Sequence, residues 1–166
     1  MATEGAFEGY APPDERPPFG SYAALSILFN GGLAAFLVGA RRGAYELPED
    51  VSLKDLALVG VATHKLSRVI AKDKVMSFAR APFRRYEGRG GPAELSEETR
   101  GEGVRAALGE FVGCPYCLAL WISGGLSVGI ALAPRETRFV SAIFAGLAIS
   151  DFLQLAYASE QGKLTD

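Results

Sequence analysis

Cys114 and Cys117 are the two cysteines in a chain of 166 residues, and they stand in the stretch Cys114-Pro115-Tyr116-Cys117. The second thiol opens directly into the apolar run Leu118 to Ala133. A vicinal pair of this kind can form a disulfide, exchange thiols, bind a soft metal or simply pack. A thiol at a helix N-terminus meets unpaired N–H groups and a positive dipole end, which favour the thiolate and make a redox role chemically reasonable. A closed zinc site asks for four ligands, and one CxxC supplies two. The others would come from His64, from an acid such as Asp151, or from a second copy of the motif across a dimer. A permanent disulfide is disfavoured, because the topology argued below puts the pair at the cytoplasmic end of its helix, where thiols are held reduced.

CPYC is also the active-site sequence of glutaredoxins. In that family the motif follows a β-strand in a soluble thioredoxin-like fold and is accompanied by a cis-proline loop such as Thr-Val-Pro, which this chain lacks. The preferred reading is packing by small, soft side chains. Cys117, Trp121, Gly125 and Gly129 fall four apart on one helix face, and Gly125 with Gly129 forms a GxxxG that lets helices approach closely in lipid.

The elements that must position these residues are apolar. Overall composition hides this: 22% of residues are charged and the net charge is −2, but the charges are clustered. A spanning helix needs about 20 apolar residues to cross roughly 30 Å of hydrocarbon. Tyr22 to Ala40 meets that length without a charge and stops at Arg41-Arg42. Cys117 to Ala133 is uncharged and ends at Pro134; after the short turn Arg135 to Arg138, Phe139 to Tyr157 runs back, so the two form a helical hairpin. Leu53 to Ile70 is the weakest candidate, since His64, Lys65 and Arg68 lie within it. Its start is marked by Ser52 and Asp55, a capping-box-like opening. The expected fold class is therefore an all-α integral membrane protein with three or four spans and a C-terminal hairpin. Residues 1–20, with four prolines and no apolar core, read as a disordered tail without a signal peptide. Residues 21–41 form the N-terminal membrane helix. Residues 52–158 form a membrane domain containing a basic loop over 71–113, and 159–166 form a C-terminal tail.

Basic residues concentrate in that loop, from Lys72 to Arg105, so the positive-inside rule makes it cytoplasmic together with the C-terminus. The N-terminus is cytoplasmic with four spans and external with three; Arg41 and Arg42 count against four. The segment Lys72 to Tyr86 interleaves bases with Val75, Met76, Phe78 and Phe83, and reads as a juxtamembrane surface that meets anionic headgroups through Arg80, Arg84 and Arg85. Too few bases remain for nucleic-acid binding. Residues 87–110 read as an exposed loop with one short helix around Glu94 to Leu108.

Asp151 is the one ionisable residue inside the last apolar run and should face protein. The expectation is a contact with Lys65 or His64, with Gln154 one turn further on; the functional alternative is a proton relay or metal site using Asp151 and His64.

CPYC-x-x-x-W at the head of an apolar helix, preceded by ATHKLSRVIAKD and FARAPFRRY, resembles the bacterial family catalogued as domain of unknown function thirteen-sixty. The resemblance covers about residues 53–157 and is carried by Thr63, Arg68, Asp73, Arg80, Pro82, Cys114, Pro115, Cys117 and Trp121. It implies small proteins of the cell (inner) membrane without an assigned activity, so it indicates a location and no reaction.

No P-loop, nucleotide fingerprint, HExxH or nucleophile elbow is present. The sequence thus points to a non-enzymatic membrane protein without a cofactor. It would interact with a membrane partner, or self-associate, through its third helix. The alternative is thiol redox or metal binding at Cys114 and Cys117.

Overall fold

The computed structural model describes residues 9–12 and 17–165. In chain order the elements are α1 (Phe19–Arg41), α2 (Leu53–Ala71), a 3-10 turn (Lys74–Met76), α3 (Ser77–Arg80), β1 (Arg84–Arg89), β2 (Leu95–Thr99), α4 (Gly103–Gly113), α5 (Pro115–Leu132) and α6 (Pro134–Thr165). Most of the expected tail over 1–20 lies outside the described residues, although Phe19 and Gly20 belong to α1. The tail expected over 159–166 is corrected as well, because α6 continues to Thr165.

Helix starts follow local chemistry. Ser52 Oγ accepts from Asp55 N at 3.0 Å and opens α2. Its side-chain oxygen thereby satisfies one of the orphan donors of the first turn. Pro115 starts α5, where its missing N–H costs nothing. Pro134 opens α6 in the same way, so the connection between α5 and α6 shrinks to Ala133 and the residues expected as a turn are already helical.

Contacts fix the directions of the four long helices. Asp55 meets Arg138, and Lys65 meets Asp151, so α2 and α6 run parallel. Gly129 lies against Thr137 across the α5–α6 turn, which makes those two antiparallel. Tyr22 reaches Glu110 at the end of α4, and Phe29 packs on Trp121, so α1 climbs beside α5. Residue 19, the 72–113 segment and the C-terminal part of α6 therefore share one end of the bundle, here called the cap end. α5 and α6 each pack more extensively on α2 than on each other. The α2–α6 seam is built of small residues: Ala62, Thr63 and Ser67 from α2, and Ser141, Ala145 and Ala148 from α6, are all buried. Such side chains let helix backbones approach closely.

The segment over 71–113 is a folded cap, and the all-α expectation is corrected there. Arg84–Arg89 and Leu95–Thr99 pair antiparallel, with Tyr86 opposite Glu97 and a bulge between Tyr86 and Gly88. Asp73 bridges to Glu94, while Lys74 N donates to Ala93 O at 3.0 Å and Leu95 N donates to Lys72 O at 3.0 Å. The helix expected from Glu94 begins only at Gly103. The reason is alternation: Leu95, Glu97 and Thr99 turn inward while Ser96 and Glu98 face out, a period of two that a helix cannot satisfy.

Glycine permits close approach at specific points. A Cβ on Gly109 would sit 2.6 Å from Phe83 O, a backbone atom, whereas one on Gly125 would meet nothing within 4 Å. Gly109→Ala is therefore expected to lower stability by about 1–3 kcal/mol, as overpacking does. Gly125→Ala should be neutral or stabilising by up to about 1 kcal/mol through helix propensity. Denaturant titration of both variants in detergent checks this; equal destabilisation would contradict the packing described.

Candidate functional site

At the cap end, two of the family-resemblance residues, Asp73 and Arg80, meet in a knot around a buried ion pair. Arg80 closes α3 with its side chain 1% exposed, and Glu97 from the inward face of β2 is 7% exposed. Arg80 Nε and Nη2 donate to the two carboxylate oxygens of Glu97 at 2.7 and 3.1 Å. Nη1 donates to Ile70 O at 2.8 Å and Asp73 O at 3.0 Å, and Nη2 reaches Lys72 O at 3.4 Å. All five guanidinium N–H groups thus find acceptors, which is the full donor capacity of arginine. The carbonyls belong to the last turn and exit of α2, where a cation also complements the helix dipole.

Arg84 completes the knot from the other side. Its Nε lies 3.5 Å from Glu97 Oε2, Nη1 donates to Gly109 O at 2.8 Å, and Nη2 donates to Glu97 O. Gly109 and Gly113, one turn apart on α4, leave the notch that the guanidinium and Phe83 O occupy. Arg105 donates to Pro82 O from Nε at 2.8 Å and from Nη2 at 2.6 Å, holding α4 against the turn before β1. The headgroup role expected for Arg80 and Arg84 is therefore corrected: both are consumed inside the cap. Arg85 is the surface member, 67% exposed and paired with Glu98 and Glu87.

A polar ladder continues from the cap into the bundle. Lys65 Nζ is 2.8 Å from Asp151 Oδ2 and 3.7 Å from Asp73 Oδ2. Arg68, one turn nearer the cap, pairs with Glu94. His64 does not join the acid; its ring stacks on Phe152 with centroids 6.2 Å apart. Gln154 donates to Ser150 Oγ at 3.2 Å. Thr63 is buried in the α2–α6 seam.

The two thiols are free and lie at the head of α5. Cys114 Sγ accepts from Cys117 N at 3.2 Å, so the first cysteine caps the helix that the second belongs to. Cys117 is exposed, and Glu110, in the last turn of α4, accepts from Tyr22 Oη. Neither thiol is brought to His64, and the described residues contain no group of three or more His, Cys, Asp or Glu that could hold a metal ion. Trp121 is spent within the chain, its ring edge-on to Phe29 and Phe111 at 5.5 and 5.9 Å. The close approach of α1 runs through Gly124, whose Cβ would meet Phe29 at 2.9 Å, and Gly129 abuts Thr137. Of the face expected to meet a partner, Cys117 and Gly125 stay open. Sequence reasoning missed Glu97, Gly109 and Gly124; the alternation Leu95/Glu97/Thr99 after a Gly-Gly-Pro turn was the available signal for the first.

Comparison with known proteins follows the same region. The family model described as "Protein of unknown function (DUF1360)" matches residues 58–157. The sporulation protein YjcA of Bacillus subtilis (strain 168) is 29% identical over 98 residues, covering 56% of this chain and 83% of that protein. No solved structure matches.

Removing one partner from a buried pair strands the other charge, at a cost of about 3–5 kcal/mol. Glu97→Ala is therefore expected to destabilise the cap by that amount, and Arg80→Lys to fail as a replacement because a single ammonium cannot serve five acceptors. Limited proteolysis within 84–105, compared with wild type, checks both; an unchanged cleavage rate would contradict the knot. At the thiols, Cys114→Ser keeps a cap acceptor, whereas Cys114→Ala should lose about 1 kcal/mol, read as a shift in unfolding midpoint between the two variants.

Proposed function

The chain belongs to the DUF1360 family, and from that membership and the geometry above we propose a multi-pass membrane protein that works by association rather than catalysis. α1, α5 and α6 are long and apolar enough to cross a membrane, and their outer faces are hydrocarbon: Ile27 is 71% exposed, Phe139 70% and Leu153 66%. The single observation that carries the reading is surface. The accessible area is 11596 Å² for 17.6 kDa, against about 7,900 Å² for a compact water-soluble monomer of that mass, and the excess is rich in large apolar side chains on α1 and α6. Lipid supplies the missing cover.

In this reading α2 crosses as well, although it carries more charge than a lone span tolerates. Its polar side chains support that assignment, since Thr63 and Ser67 are buried and Lys65 is 13% exposed beside its acids. With four crossings the N-terminus, the cap and the C-terminus share the cytoplasmic side. Lys74, Arg85, Arg89 and Arg100 supply the positive charge there, and Arg85 with its neighbours faces anionic headgroups. Arg41 and Arg42 then lie outside, alongside Glu46, Glu49 and Asp50, which offset them. Cys114 Sγ serves as the cap acceptor of α5, and the described residues bring no group of three or more His, Cys, Asp or Glu together that could hold a metal ion, which supports a structural role for the CPYC pair.

The test uses single cysteines in a Cys114→Ser/Cys117→Ser background. The protein should resist carbonate extraction from membranes. Glu49→Cys should react with an impermeant maleimide in intact cells, while Glu98→Cys should react only after lysis. Release by carbonate, or the opposite labelling pattern, would overturn the proposal.

A further inference from the structure

We infer that two copies of this chain associate face to face through the polar stripe that α2 and α6 present on the cap-side third of the bundle. The inference rests on the membrane reading above. Around the stripe, the outward residues of α6 are apolar: Ile143, Leu147, Ile149, Leu153 and Leu155 are all exposed. Within it stand Ser150, Asp151 and Gln154 on α6, and Lys65 and Arg68 on α2. Asp151 is 2.8 Å from Lys65 yet remains 49% exposed, whereas Lys65 is 13% exposed. The ion pair is therefore covered on the lysine side and open on the acid side.

Depth makes that opening costly. Lys65 lies six residues before the end of α2 at Ala71, about 9 Å of helix rise. A lysine or arginine stem can reach back over that distance to the interface, but the short aspartate side chain cannot. In hydrocarbon the uncovered carboxylate edge, and the amide of Gln154, whose bond is to Ser150 at 3.2 Å, would have no water to meet. Polar groups at such depth face protein, and in one chain these face outward.

The complement is on the same surface. The stripe carries an acid, Asp151, and a base, Arg68, 44% exposed, together with an amide that both donates and accepts. A surface carrying both signs side by side is self-complementary under a two-fold axis, where each copy offers what the other needs. Asp151 of one copy then meets Arg68 of the other, and the Gln154 amides lie close to the axis. The α5 face offers much less, because Trp121 and Gly129 are already used within the chain.

Cysteine crosslinking in native membranes tests this, again in the Cys114→Ser/Cys117→Ser background. Gln154→Cys, and independently Ser150→Cys, should give a dimer-sized species on mild oxidation. Ile149→Cys, about 200° around the helix from Asp151, and Gly125→Cys on α5 should not. Adding Asp151→Asn should lower the Gln154→Cys yield severalfold. No dimer from either stripe position in a carbonate-resistant protein would overturn the inference while leaving the membrane reading intact. Equal yield from Ile149→Cys, or a dimer from Gly125→Cys alone, would overturn it too. Loss of the protein to the carbonate supernatant would instead remove the membrane reading and the inference with it.

Discussion

The guanidinium of Arg80 ties the hairpin to the exit of α2, beside the backbone tethers of Lys74 to Ala93 and Leu95 to Lys72 and the Arg68–Glu94 pair. Its five donors are divided between the carboxylate of Glu97 on the hairpin and the carbonyls of Ile70, Lys72 and Asp73 at the exit of α2. Without it, a helix C-terminus and a buried acid would both lose their partners. With it, the hairpin is held to α2, and Arg84 extends the same carboxylate to α4 through Gly109. The head of α5 follows immediately from α4, so the position of the cysteines depends on this knot through covalent continuity. A buried ion pair is weak evidence for stability in itself, but its partners are costly to separate, and that asymmetry fixes the arrangement of the cap.

The bundle solves a related problem differently. α2 carries Asp55, Lys65 and Arg68 and is packed against α5 and α6, with buried alanine, serine and threonine side chains. Its lysine is placed between Asp151 and Asp73, one acid from the bundle and one from the cap. Small side chains provide the close approach and the ion pair sets register along it. The outer helices then need only apolar outward faces, and α1 buries none of its residues at all.

Features governed by local rules were legible in the sequence. The start of α2 at Ser52, the apolar runs and their proline boundaries follow from capping, length and composition. The Lys65–Asp151 contact could be anticipated because an acid alone in an apolar run requires an opposite charge. The cap was not legible, since its logic is non-local: Arg80 and Glu97 are 17 apart in sequence, and the strand that carries Glu97 places its charge inward and its serine outward, the reverse of ordinary patterning. Basic residues interleaved with aromatics looked like a headgroup surface because burial of two arginines depends on a single acid whose orientation only strand pairing sets. The glycine face of α5 was read from spacing alone, which could not tell that Gly124 receives Phe29 while Gly125 is left open.

The central claim is that the segment between α2 and α5 is a folded cap built on the Arg80–Glu97 pair. Hydrogen exchange followed by mass spectrometry on the intact protein in detergent addresses it directly. Backbone amides across the β1–β2 ladder and the Lys74 and Leu95 tethers should be protected together with the last turn of α2. Exchange of residues 84–99 at the rate of an unstructured chain, with α2 protected on its own, would contradict the account.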